Sequence, residues 1–493
     1  MLNSNNHSIK VELKRLYRHI KAKKLIRLER TKGKIFMDNQ KSTLELGTKP
    51  VWPLLMQYAI PAIIAMTAAS LYNMVDSIFI GQGVGPLAIS GLAITFPFIN
   101  LTAAFGAAVG VGSSTLISVK LGQKDYQYAQ RILGNTITLN IIIGVLVGGL
   151  CLLFLDPILL FFGASENTIS YARDYMEIIL AANVFSHMYY GFNALLRATG
   201  KPKQAMFATI FTVILNAILD PLFIFYFEMG IKGAAYATIL SQVVALIWQV
   251  RQFSNKKELI HVKSGTYKLQ YSLVKNIISI GSAPFAMNVC ACIIVIFINN
   301  GLLKYGGDLA VGSYGIANKI EFIFLMISMG IDQGMQPIAG YNYGSKQYDR
   351  LFKVVKLSIY AATVVMTLGF IVGMFFPYEC ARLFTSDPEL IAMSIRGIRI
   401  NMCVFPVIGY QMVITTFFMS IGKAKISMFL SLSRQLVFLL PLLIILPRYF
   451  ESDGVWAALP ASDLLSAVVT AVIMVVFMKR FKKQNKLSQS YEQ

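Results

Sequence analysis

Asn216-Ala217-Ile218-Leu219-Asp220-Pro221 places a carboxylate inside residues 205–227, an otherwise apolar run long enough to cross a membrane. An aspartate at that depth costs about 2.5–3.5 kcal/mol on insertion scales before a partner compensates it. Thr209, Thr212 and Asn216 precede it at helical spacing, so the four make one polar stripe. Such a stripe is expected to face a bundle interior or a water-filled cavity. The rest of the chain reads as its housing.

Working outward, the composition agrees. Of 493 residues, 56% are hydrophobic and 14% charged, far below the roughly 25% charged of a soluble protein, so an integral membrane protein is expected. Of the formal charge of +21, nine come from residues 1–36, where eleven Lys and Arg face only Glu12 and Glu29. That basic N-terminal extension, residues 1–49, reads either as an amphipathic helix on anionic lipid or as a solvated or untranslated lead. No signal peptide is expected ahead of the first apolar run, which reads as a retained span. Scattered basic residues among apolar spans exclude a nucleic-acid surface. Cys151, Cys290, Cys292, Cys380 and Cys403 contain no Cys-x-x-Cys pair, which favours isolated thiols over a metal site or disulfides.

Twelve apolar runs follow, at about 52–80, 87–118, 132–155, 168–196, 205–227, 232–250, 276–300, 309–340, 355–376, 392–420, 427–446 and 454–478. Pro61, Pro97, Pro284, Pro337 and Pro406 are expected to kink them. Lys and Arg crowd the even-numbered connections and the tail, while the other connections hold only Lys232, Lys304, Arg382 and Arg448. That asymmetry puts both termini in the cytoplasm. The chain also repeats at an offset of 222 residues: Gly122-Gln-Lys124-Asp-Tyr126 returns as Gly344-Ser-Lys346-Gln-Tyr348, and Gly200-Lys201-Pro-Lys203 as Gly422-Lys423-Ala-Lys425. Six spans per repeat give two parallel lobes, the plan of transporters that rock about a central site. The expected division is an N-lobe at 50–250, a cytoplasmic linker at 251–275, a C-lobe at 276–478 and a basic tail at 479–493. The fold class is an all-α integral membrane protein with twelve transmembrane helices in two parallel-repeat six-helix lobes.

Polar groups inside the spans carry the function. Thr67, Ser70, Asn73 and Asp76 form a stripe on the first span, and Thr238, Ser241 and Gln242 lie on the sixth. Asp76, Asp220 and Thr238 fall at a similar depth in the outer half of the N-lobe. Two carboxylates close together in low dielectric cannot both ionise cheaply, so a proton site is expected, or a sodium site built from the same oxygens. The C-lobe carries Lys319, Glu321 and Asp332 on its eighth span and Arg434 on its eleventh. Asp332 and Arg434 are expected to pair, with Glu321 and Asp332 as secondary coupling candidates. Many Phe, Tyr and Met residues suit bulky apolar cations.

Leu44-Glu-Leu-Gly-Thr48, Tyr58-Ala-Ile-Pro61, Asn73-Met-Val-Asp76, Gly122-Gln-Lys124, Arg197-Ala-Thr-Gly200-Lys-Pro and Asn216-Ala-Ile-Leu-Asp220-Pro resemble the multidrug and toxic compound extrusion (MATE) family over about residues 44–478. Within it the likeness is to the MepA-like members of the DinF branch. The resemblance implies a V-shaped antiporter in the bacterial inner membrane. It would act as a monomer without a cofactor and expel apolar cationic small molecules against H+ or Na+. It also implies an ion-coupling site of Asp76, Asn216, Asp220 and Thr238, with Asn73 beside it. The NorM-type members carry acids on the seventh and tenth helices that this sequence lacks, so the N-lobe carboxylates are favoured for coupling. A lipid-linked saccharide flippase shares the architecture but needs a cationic cavity. An enzyme is not expected, because no nucleophile–base or metal constellation lies at depth.

Overall fold

The computed structural model describes residues 44–256 and 258–491, which leaves most of the basic extension outside the described residues. The described chain is helical, with no strand among its residues. The N-lobe comprises α1 (Val51–Gly83), α2 (Pro86–Gly122), α3 (Tyr126–Leu153), α4 (Leu155–Phe161), α5 (Ile169–Ala181), α6 (Asn183–Ala198), α7 (Pro202–Pro221) and α8 (Gly230–Ser254). The C-lobe begins with α9 (Tyr271–Gly307) and α10 (Leu309–Gly344), separated where Gly307 takes φ 67°. It continues through α11 (Tyr348–Phe375), α12 (Pro377–Arg382), α13 (Pro388–Met402), α14 (Phe405–Ser420), α15 (Ala424–Leu432), α16 (Leu440–Ile445) and α17 (Pro447–Tyr491), the last broken at Glu451.

Ten of the described helices are long and apolar enough to cross a membrane, and α13 with α14, bent by 50°, make an eleventh. The expected run at 168–196 folds as α5 and α6, interrupted at Ala182, and does not pass as a span by length and apolarity. Its charges explain why it reads as less apolar. Arg173 makes two 2.7 Å hydrogen bonds to Asp156, and Asp174 pairs with Lys232 at 3.2 Å, so this end of α5 is stitched to the first turns of α4 and α8. Pro61, Pro97, Pro284 and Pro337 lie inside helices. Pro406 instead starts α14 after the bend, where its missing N–H costs nothing.

The repeat is visible in the backbone. Lys124 and Lys346, equivalent residues, both take φ 59° in the turn after their glycine. Those glycines also lock the lobes together reciprocally. A Cβ on Gly122 of α2 would lie 2.0 Å from the Tyr341 carbonyl, and one on Gly344 of α10 would lie 2.0 Å from the Val119 carbonyl. Only glycine allows that approach. Farther along, Gly334 and Gly330 press against Ala59 and Ile63 of α1, and Phe105 of α2 meets Phe285 of α9 with ring centroids 4.6 Å apart. The lobes are thus seamed at the end bearing the basic connections. The linker is strapped to the same end: Asn135 of α3 donates to the Thr266 and Lys268 carbonyls and accepts from Gln270 N at 2.9 Å.

Candidate functional site

The polar stripe on α7 divides in two. Toward the basic end, Thr209 accepts from Asn193 at 3.1 Å, and Asn193 is in turn hydrogen-bonded by Arg197. Tyr189 bonds to Thr209 and Thr212. These groups satisfy one another within the helix bundle.

Asn216 and Asp220 form the other part. Asp220 is fully buried and Asp76 is 5% exposed, so neither caps a helix end in interfacial water. The two carboxyl groups lie close enough to act on each other. Asn216 donates to Asp220 Oδ1 at 3.2 Å and to the Thr238 hydroxyl of α8 at 3.4 Å. Three helices, α1, α7 and α8, therefore deliver the four residues to one buried point. Asn73 lies one turn before Asp76 on α1, but its side chain is outside the described ones.

Tyr175 of α5 completes the cluster. Its ring is buried, its hydroxyl bonds to Thr238, and it stands within electrostatic reach of both acids. Its sequence neighbours Arg173 and Asp174 pair at the surface, and no spacing signal marks it out. Immediately after Asp220 the helix widens to a π turn over Leu222–Tyr226, following Pro221, which has no N–H to give. Such turns frequently accompany functional sites.

Around this point Asp76 Oδ1, Asn216 Oδ1 and Asp220 Oδ2 are buried without a hydrogen-bond partner. Buried polar atoms are normally satisfied, and three unpaired oxygens in one cluster describe a place that accepts a proton or a small cation. Among the described residues no three His, Cys, Asp or Glu gather as metal ligands, so any cation there would rely on amide and hydroxyl oxygens as well.

The C-lobe acids are arranged otherwise. Arg434, at the start of a π segment Ser433–Leu439, donates to Asp463 of α17 at 2.5 Å. The expected pair of Arg434 with Asp332 does not form. Asp332 turns toward α14, where the Thr416 hydroxyl donates to it at 3.2 Å, while Arg434 turns toward α17. Glu321 accepts from Asn401 of α13 and lies near the Arg434–Asp463 pair. Asp463 was legible as an acid inside the twelfth apolar run, whereas Asn401 carried no such mark.

Comparison with known proteins bears on this geometry. The family model MatE matches residues 61–222 and 284–445, two stretches of equal length that fall one in each repeat. The chain is 26% identical over 424 residues to the multidrug export protein MepA of Staphylococcus haemolyticus, covering 86% of this chain and 93% of that one. It is also 26% identical over 432 residues to MepA of Staphylococcus aureus, covering 87% and 94%. Among solved structures it is similar to the MATE multidrug transporter DinF-BH, at 37% identity and TM-score 0.82, covering 87% of this chain and 96% of that one. It shares its fold with an outward-facing multidrug resistance MATE family transporter of the MOP superfamily, at 24% identity and TM-score 0.85, covering 90% and 99%.

Proposed function

The chain belongs to the MatE family of multidrug efflux transporters, and on that footing we propose that it exports apolar cationic small molecules in exchange for protons. It is a multi-pass membrane protein and a transporter, not an enzyme. The N-lobe, residues 50–250, and the C-lobe, 276–478, are the two rocking bodies, joined by the linker 251–275, and one chain supplies both walls of the pathway. In this reading the basic, seamed end faces the cytoplasm of a bacterial cell, with both termini on that side, and the Asp76–Asp220 site lies toward the outside.

What supports the exchange is the burial of two carboxyl groups side by side, Asp220 fully and Asp76 nearly so, each within reach of the other. Two carboxyls that close cannot both ionise cheaply, and in this proposal the proton they hold between them is the one taken and given, linked reciprocally to drug binding. Sodium is the second reading, favoured by the unpaired oxygens of Asp76, Asn216 and Asp220. Against lipid-linked saccharide flipping, three basic groups of the C-lobe spans are engaged: Lys319 lies over Phe384 at 5.5 Å, Arg396 pairs with Asp453 and Arg434 with Asp463.

The test is drug transport by proteoliposomes under an imposed proton gradient, without sodium, and under a sodium gradient without a pH difference. Proton-driven transport supports the first reading and sodium-driven transport the second. Transport under neither gradient overturns ion-coupled export.

A further inference from the structure

The C-lobe contains a buried acid, Asp332, that the coupling site leaves unused and that makes no ion pair among the described residues. Asp332 of α10 is 6% exposed. The Thr416 hydroxyl of α14 satisfies Oδ2, and Oδ1 is buried with no partner. Its surroundings place it at the seam between the lobes. One helical turn toward the basic end on the same face, Gln336 donates across the seam to Thr115 of α2 at 2.9 Å. A turn farther, Gly340 packs between Ser118 of α2 and Ser420 of α14. On either side of Asp332, Gly330 and Gly334 press on α1, and Gln333 reaches Met66 at 3.2 Å.

The helices that these contacts bring against it, α1, α2 and α14, supply no counter-charge. Within α14 there is no Asp, Glu, Lys or Arg, and the titratable Tyr410 lies nearly two turns from Thr416. The one charged residue of α2 is Lys120, at its end, engaged with Asp125 at 3.6 Å and with the Tyr128 ring. On α1 the charged residue is Asp76, in the other site, and the buried Tyr58 is the nearest titratable group to the seam contacts. On α10 itself, Lys319 and Glu321 lie three turns outward with their own partners. A carboxylate left charged in such a place is far more costly than a neutral carboxyl with one unpaired atom.

We propose that Asp332 is a second proton site, on the C-lobe side of the seam, which holds its proton while the seam is shut and releases it to water when the lobes part at the basic end. This rests on the alternating-access reading given above. The step is a simple proton transfer: the O–H bond at Asp332 breaks, a water takes the proton, and the carboxylate is hydrated as the seam opens. The shut state is the one that binds the extra proton, so lowering the pH favours closure and raising it favours opening.

The test uses the full chain in lipid nanodiscs, with a donor and an acceptor fluorophore on unnatural amino acids at the exposed positions Gln127 and Asp349, near the basic ends of α3 and α11. In the wild type, energy transfer should fall as the pH rises. Asp332→Asn, which mimics the protonated acid, should stay in the high-transfer state across the titration, and Asp332→Glu should restore a pH response. Repeating the series with Asp220→Asn separates the two sites: the Asp332 effect should persist there even if gradient-driven transport fails. Drug binding by each variant confirms that it is folded. A wild-type seam indifferent to pH, or a folded Asp332→Asn protein that titrates like the wild type, would overturn the proposal.

Discussion

The two lobes repeat a fold but not its chemistry. In the N-lobe, Asp76 and Asp220 lie against each other, an amide and hydroxyls, with no fixed cation in the cluster. In the C-lobe, Asp463 has the guanidinium of Arg434 and Glu321 has the amide of Asn401. A carboxyl pair sharing one proton is built to exchange it, whereas an acid paired with arginine is built to stay ionised, because Arg does not give up its proton. Backbone symmetry therefore says where the two lobes meet, and the side chains say what the acids of each lobe can do.

The largest expected effect falls on the N-lobe. Asp76→Asn and Asp220→Asn should each reduce gradient-driven transport in proteoliposomes to that of empty vesicles while the protein still inserts. The amide keeps the shape but cannot take up and release a proton. The double variant should be little worse than either single one, since groups acting as one unit are not additive. Additive partial losses would break the comparison, because the acids would then act separately.

A smaller effect, on stability and not on exchange, is expected in the C-lobe. Asp463→Asn leaves Arg434 without its partner, and losing one side of a buried pair costs about 3–5 kcal/mol. Arg434 is about a third exposed, which puts the loss at the low end of that range. Replacing both residues by Leu and Met should recover most of the thermal stability, and transport with it. A stable double variant that cannot transport would move the C-lobe pair into the working machinery.

The smallest effect is expected at Tyr175. Tyr175→Phe keeps the buried ring and removes one hydrogen bond, worth about 1 kcal/mol. The driving-ion concentration at half-maximal transport should rise about fivefold at an unchanged maximal rate. An unchanged ion dependence would make the hydroxyl a packing detail.

How far the sequence reached differs between these regions for physical reasons. Spans, kinks and the repeat were legible because lipid demands long apolar helices and because the turns at Gly122 and Gly344 reuse the same residues. Asp76, Asn216, Asp220 and Thr238 were legible because a polar group inside an apolar run is expensive and needs a reason. Tyr175 was hidden, since a tyrosine beside surface charges looks ordinary until the fold turns it inward. The α7 stripe was read as one surface, but helical phase alone does not reveal that Tyr189 and Asn193 claim its first half. The pairing of Arg434 failed for the same reason: depth was legible, but the direction a helix face takes within the bundle was not.

The central claim is that drug binding and a proton on the Asp76–Asp220 pair exclude each other. The most direct measurement adds a cationic substrate such as ethidium to purified protein in weakly buffered, sodium-free detergent solution and follows the pH with an indicator dye. The wild type should release protons as drug binds, and Asp76→Asn and Asp220→Asn should bind drug without releasing any. Drug binding by the wild type with no proton release, or equal release by the Asp220→Asn variant, would contradict the account.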